Sequence, residues 1–228
     1  MTIGYDKQSL YSQILLDLPF MEETGVLTND NAKPHHQHTL TGTPSWASLA
    51  NGTPYLSFNP AHPDYLQCPA AATADLNFTA GDFSLMVWIN TGALLGYPLM
   101  NRGATITDGW SMNVSVEGKV SLLTRQGGTG QSTFTVNVIL INQWYLIMAT
   151  RSGASCHIYI NGAEPAYSSV GVHVNPAAAV RNMYFGCNNA GGAPQYSGYM
   201  YRPRIWGRQL SAAEAYQLFQ LERDLFGV

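Results

Sequence analysis

Alternation of apolar and polar residues with a period of two dominates the chain, the repeat that sends successive side chains to opposite faces of a strand. Phe83-Ser-Leu-Met-Val-Trp-Ile89 places Phe83, Leu85, Val87 and Ile89 on one face and Met86 and Trp88 on the other. Two apolar faces predict a central strand. Trp110–Val116 alternates cleanly, with Trp110, Met112, Val114 and Val116 set against Ser111, Asn113 and Ser115. That pattern predicts a half-exposed antiparallel strand. Glu117-Gly118 then turns the chain into Lys119–Thr124, its hairpin partner. Trp144–Thr150 and Cys156–Ile160 bracket a Gly-containing loop, and Asn161-Gly162 follows as a turn in which both positions tolerate positive φ. Met183–Cys187, Tyr199–Trp206, Ile14–Leu18 and Tyr55–Phe58 read as further strands, with a turn at Asn29–Lys33.

Helical periodicity is nearly absent before residue 211. There Ser211-Ala-Ala-Glu214 forms a capping box, with Leu210 and Ala215 at the staple positions. Leu218, Leu221 and Leu225, with Phe219 beside them, predict an apolar stripe on a helix over 211–226. No repeat or linker divides residues 14–228, so they read as one domain. Residues 1–13 precede the first strand and carry Tyr5, Leu10 and Tyr11 among polar neighbours, which predicts an arm laid against another subunit.

Composition narrows the function classes. Of 228 residues, 46% are hydrophobic, which excludes disorder. Only 11% are charged, against roughly 25% in ordinary domains. Eleven Lys and Arg and a net charge of −3 exclude nucleic acid as a partner. Cys68, Cys156 and Cys187 show no C-x-x-C spacing and read as small buried thiols. The opening residues lack the apolar segment of a signal peptide. No apolar run approaches a membrane span, and the longest, such as Val136–Ile141, have strand length.

Leu16–Gly25, Thr28–His35 with Thr39–Gly42, the Phe83–Trp88 strand, Trp144, Ile158–Gly162 and Gly198 followed by Leu210–Glu214 occur in a telling order. Over residues 14–222 this order resembles the laminin-G-like branch of the concanavalin A-like lectin and glucanase superfamily. The resemblance implies an all-β, two-sheet antiparallel jelly roll with a short C-terminal helix. It leaves function open, because the fold hosts lectins, adhesion modules, glycosidases and structural proteins.

The glucanase branch carries Glu-x-Asp-x-Glu on one strand, so that two carboxylates flank the scissile bond. That motif is missing, and Glu22, Glu23, Glu164, Glu214 and Glu222 read as solvated or capping groups. No G-x-S-x-G, H-E-x-x-H or P-loop is present either, so a non-catalytic protein is expected. No cofactor is expected beyond the calcium that the superfamily suggests. Asp30 and Asn31 are weak candidates for it, since Tyr201 and Arg202 stand where the family often has carboxylates. His35-His36-Gln37-His38 reads as a solvated loop.

Candidate glycan contacts are Tyr196, Tyr199 and Tyr201 near Asn188 and Asn189, or Tyr97 and Trp110 with Asn101 and Arg102. Arg202 and Arg204, on a proline-broken edge, read as contacts to an acidic neighbouring subunit. Two functions follow. The leading one is a non-catalytic surface protein that decorates or stabilises an assembly, such as a phage capsid decoration or tail-associated subunit. Such a protein is made in the cytoplasm without an export signal, and its partners are protein subunits, including copies of itself. The alternative is a stand-alone carbohydrate-binding lectin module, assisted by calcium.

Overall fold

The computed structural model describes residues 10–104, 107–136, 139–190, 192 and 195–228. In chain order the strands begin with β1 (Ile14–Asp17), β2 (Leu27–Thr28), β3 (His38–Thr41), β4 (Ser45–Ser48), β5 (Pro54–Phe58) and β6 (Tyr65–Cys68). After a kinked 3-10 segment over Ala70–Leu76 come β7 (Phe83–Thr91), β8 (Tyr97–Arg102), β9 (Trp110–Val114), β10 (Val120–Gln126) and β11 (Thr129–Thr135). The remainder are β12 (Trp144–Ser152), β13 (Ser155–Ile160), β14 (Tyr167–Ser169), β15 (Met183–Phe185) and β16 (Gly198–Trp206), followed by helix α1 (Ala212–Phe226).

Among the described residues these strands form two antiparallel sheets. One has seven strands in the order β13-β12-β7-β16-β5-β4, with β1 added along β16. The other has nine, in the order β14-β11-β10-β9-β8-β15-β6-β3-β2. This is the expected jelly roll, and β7 is central as its two apolar faces require. Phe83, Leu85, Val87 and Ile89 enter the core between the sheets with Trp110, Met112, Val114 and Leu122 of the opposite sheet. Met86 and Trp88 enter a second core between the seven-stranded sheet and α1, with Leu146, Trp206, Leu218 and Phe219. All three cysteines are buried and unbridged. No described helix is long and apolar enough to cross a membrane.

Several expectations are corrected. Residues 137 and 138 of the apolar run Val136–Ile141 lie outside the described residues, and Leu140 and Ile141 are half exposed. The polar strand β11 is present although Thr129-Gly-Gln-Ser-Thr has no apolar period. On α1 the buried face runs Ala215, Leu218, Phe219 and Glu222, while Leu221 and Leu225 face outward. Glu222 is therefore no solvated carboxylate. It accepts hydrogen bonds at 2.5 Å from Arg204 Nη2 and at 2.8 Å from Trp88 Nε1.

Arg204 reaches Glu222 because β16 bulges. Arg202 and Pro203 together oppose Val87, and Arg202 takes φ +46°. The extra residue turns Arg204 and Trp206 to the helix side and Ile205 to the inter-sheet core. Proline has no N–H to lose from the ladder, so it is tolerated at the bulge. Arg202 itself donates to both Asp17 oxygens at 2.9 and 3.0 Å. The two arginines expected to face another subunit thus tie β16 to β1 and α1 of their own chain. Of the arm expected over residues 1–13, residues 1–9 lie outside the described residues. Leu10 is fully buried in the helix-side core, its carbonyl accepts from Trp206 Nε1 at 2.8 Å, and Tyr11 packs beside it. Tyr5 lies outside the described residues.

The Asn161-Gly162 turn has both residues at positive φ. A Cβ on Gly162 would come within 2.9 Å of Tyr216 Cα, so this glycine also lets α1 approach the sheet. The Ser211–Glu214 capping box forms as expected, and Gly227 closes the helix in the left-handed region.

In the histidine-rich loop His35 and Gln37 are exposed as expected, whereas His36 and His38 are buried. Asp30 spends one oxygen on the Asp17 and Ala32 N–H groups and the other on the His36 N–H and Nδ1. His36 Nε2 meets Asp75 at 2.9 Å. Burial works against the charge on His36, but the bonds to Asp30 and Asp75 outweigh it and raise the pKa to about 9. His38 is pushed down to about 4 by burial, and His173, bonded between Thr124 and Thr133, falls to about 4 through burial and then the field of Arg151.

Two outcomes follow. Glu222→Ala leaves Arg204 buried without a counter-charge and should cost about 3–5 kcal/mol, read as a lower urea midpoint; a change within error would remove the clamp from the account. The folded pKa of His36 lies above its unfolded 6.5, so its contribution is complete below pH 6.5 and is lost as pH climbs through about 9. His38 and His173 have the opposite sign, and their contribution is lost as pH falls from 6.5 through about 4. Stability measured against pH should peak between these limits, and His36→Gln should flatten the alkaline side alone. An unchanged alkaline slope in that variant would contradict the assignment.

Candidate functional site

Helix α1 covers the outer face of the seven-stranded sheet but ends one row short of its edge. Phe226 is the last helical side chain, stacked on Trp88 and tilted against Trp144, with ring centroids 4.2 and 4.5 Å away. Beyond it the pairing register aligns Trp144, Asn90, Tyr199 and Ser57 in a single row across β12, β7, β16 and β5. Residues two apart on a strand share a face, so this row continues the helix-side face into solvent. Tyr199 is 37% exposed, and its ring rests on Tyr55 at 4.7 Å and Trp144 at 6.3 Å.

Asn59, Pro60, Gly92, Asn142 and Ser197 close a cleft of about 340 Å³ around this row. Backbone constraints shape it. A Cβ on Gly198, at φ +131°, would stand 2.1 Å from Asn90 O, so only glycine lets β16 lie against β7 there. Asn142 holds φ +59° and donates its N–H to Thr91 O at 2.7 Å. Asparagine tolerates that conformation better than other side chains. The Asn90 and Asn142 amides and the Ser57 and Ser197 hydroxyls make no side-chain hydrogen bond among the described residues, so their donors and acceptors are open to a ligand. No described lining residue is charged. Burial, and then Tyr199, raise the pKa of Tyr55, which packs against the Tyr199 ring.

The structure separates the residues expected to form one platform. Tyr199 lies in this cleft. Tyr201 is covered by α1 beside Phe226. Tyr196 is fully buried between the sheets against Phe58 and Tyr97, and its hydroxyl donates to Tyr199 O at 2.9 Å. Asn188 lines a groove on the other sheet, and Asn189 O accepts the Gly192 N–H in a turn. The second expected platform is core: Tyr97 and Trp110 are fully buried, Asn101 is 2% exposed, and Arg102 donates to the carbonyls of Thr73, Ala70 and Ala179. Sequence reasoning missed Asn90, Asn142, Ser57 and Ser197, whose convergence depends on strand register.

The calcium candidates fare no better. Both Asp30 oxygens are taken by N–H donors in a buried loop, so a cation there would have to displace them, and Asn31 is exposed. Among the described residues no three His, Cys, Asp or Glu side chains gather as a metal site. Glu22 Oε1 accepts from Thr28 Oγ1 and the Asn29 N–H, while Glu23 is exposed. These two carboxylates do not flank the Tyr199 cleft.

The chain is similar to solved toxin binding domains. It aligns with the binding domain of Paraclostridial Mosquitocidal Protein 1 at a TM-score of 0.74 and 16% identity, over 96% of this chain and 56% of that one. It aligns with botulinum neurotoxin type C, whose cell entry depends on interaction with two ganglioside molecules, at 0.70 and 16%, over 94% and 52%. A third match is the binding domain of botulinum neurotoxin DC in complex with rat synaptotagmin II, at 0.69 and 14%, over 93% and 52%. The chain spans about half the length of these structures, and at such identities the likeness is one of fold. No curated protein matches the chain. A family model described as Laminin_G_3 of the concanavalin A-like lectin/glucanases superfamily matches residues 64–215, more than half of the chain, which therefore belongs to that family.

Proposed function

We propose that the protein is a non-catalytic glycan-binding module whose Tyr199 cleft docks a neutral saccharide. The observation that carries this reading is the row Asn90–Tyr199–Ser57. It offers an exposed aromatic face beside amide and hydroxyl groups that make no side-chain hydrogen bond among the described residues. A pyranose presents an apolar C–H face and a rim of hydroxyls, and such a row meets both at once. Neutrality of the lining favours an uncharged sugar, because nothing there offers a counter-charge.

The similar structures support binding as the general role. They are binding domains, one named for ganglioside interaction and one solved with a protein partner. The assembly reading has less support at Leu10, Arg202 and Arg204, which make contacts within the chain. Chemistry on a glycosidic bond would need a carboxylate pair about 5–10 Å apart across the sugar, and the cleft offers no carboxylate.

Isothermal titration with neutral oligosaccharides selected on a glycan array tests the reading. Asn90→Ala should weaken binding by about two- to tenfold, the worth of one hydrogen bond, with an unchanged melting temperature because its amide supports nothing in the fold. Tyr199→Ala should weaken it further. Affinity should stay constant between about pH 5 and 8, as expected of a site without a histidine or carboxylate. Undiminished binding in both variants would reject the cleft as the site.

A further inference from the structure

The outer face of the nine-stranded sheet carries a groove of about 300 Å³ over β8 to β11. Register places Pro98, Asn113, Ser121 and Phe134 in one row across it. Arg125 lies on the same face of β10, two positions beyond Leu123, and lines the groove with Asn188. It is only 4% exposed. Its Nη2 donates to Ser111 Oγ at 2.9 Å, while its buried Nη1 has no hydrogen-bond partner among the described residues.

No described carboxylate lies within ion-pairing distance of Arg125. Asp108 acts on it through its field alone, with one oxygen bonded to the Ala104 N–H. The other buried arginines are placed differently. Arg204 and Arg151 also keep unpartnered nitrogens, but Arg204 is paired with Glu222, and Arg151 bonds Gly81 O and Asn175 Oδ1. Neither of them is among the residues that line this groove. A buried guanidinium without a counter-charge is costly, and burial accordingly pushes its pKa down. Among the four buried arginines of the described residues, Arg125 lines this groove, where a ligand anion would relieve that cost.

We propose that this groove is a second ligand site, separate from the Tyr199 cleft, and that it takes a sugar bearing a compact anionic group, a carboxylate or a sulfate. The anion supplies the counter-charge for Arg125, the ring lies on Phe134 and Leu123, and Asn113, Ser121 and Asn188 meet hydroxyls. That the ligand is a sugar rests on the glycan-binding reading; that it is anionic rests on Arg125.

Amide chemical-shift titration of the full chain with methyl glucoside, methyl glucuronide and methyl glucoside 6-sulfate tests it. Shifts at Asn113, Ser121 and Asn188 should appear with one or both anionic sugars at affinities about tenfold or more above that for the neutral one, and should weaken with added salt. Which anion wins identifies the source. Arg125→Met should abolish the preference while leaving the melting temperature unchanged or higher, because an apolar side chain of similar length relieves the buried charge. Asn188→Phe should block all three ligands at the groove without touching the charge. Equal shifts by neutral and anionic sugars, or a marked loss of stability in Arg125→Met, would overturn the proposal. The glycan-binding reading itself fails only if the Tyr199 row is also silent to every neutral saccharide.

Discussion

One inserted residue in β16 sets the relation between the helix and the sheet beneath it. Regular alternation would send Arg204 and Trp206 into the inter-sheet core, where a guanidinium has no partner. The Arg202-Pro203 bulge reverses the phase, so that Arg204 rises to Glu222 and Ile205 takes its place in the core. Trp88 Nε1 joins the same carboxylate from the neighbouring strand. Helix α1 is thereby fixed in position by a buried charge as well as by apolar packing. Breaking such a pair from one side leaves an uncompensated ion, which makes its geometry strict.

That fixed position determines what stays uncovered. Because α1 ends at Phe226, the final row of the sheet keeps an aromatic and two polar side chains in contact with solvent. The row stands on hydrogen-bonded strands, so its groups are held before any ligand arrives. Preorganisation of this kind lowers the ordering cost of binding. The groove on the outer face of the opposite sheet holds Arg125, whose buried charge has no ion-paired carboxylate among the described residues. Two faces of one sandwich thus present different chemistries, one neutral and one cationic.

Much of the fold was legible in the sequence because it is local. Alternation in Phe83–Ile89 and Trp110–Val114, the Asn161-Gly162 turn and the Ser211–Glu214 box each report backbone preferences of a few residues. The family resemblance supplied the order of strands. The features that escaped are non-local. Strand β11 is made of Thr, Gly, Gln and Ser, and only its neighbours β10 and β14 make it a strand. His36 and His38 read as solvated until Asp30 and Asp75 are seen around them. Glu222 reads as a surface carboxylate because its partners lie 18 and 134 residues away in sequence. The tyrosine platform dispersed for the same reason. Tyr196 precedes the strand and turns inward, while Tyr199 and Tyr201 share a face that the helix covers only in part.

The central claim is that the uncovered row on the helix side of the sandwich is where a saccharide sits. A crystal structure with a bound neutral oligosaccharide tests it most directly. The account predicts one pyranose face on the Tyr199 ring, with hydroxyls about 3 Å from the Asn90 and Asn142 amides. A sugar bound elsewhere, with the Tyr199 row left to solvent, would contradict it.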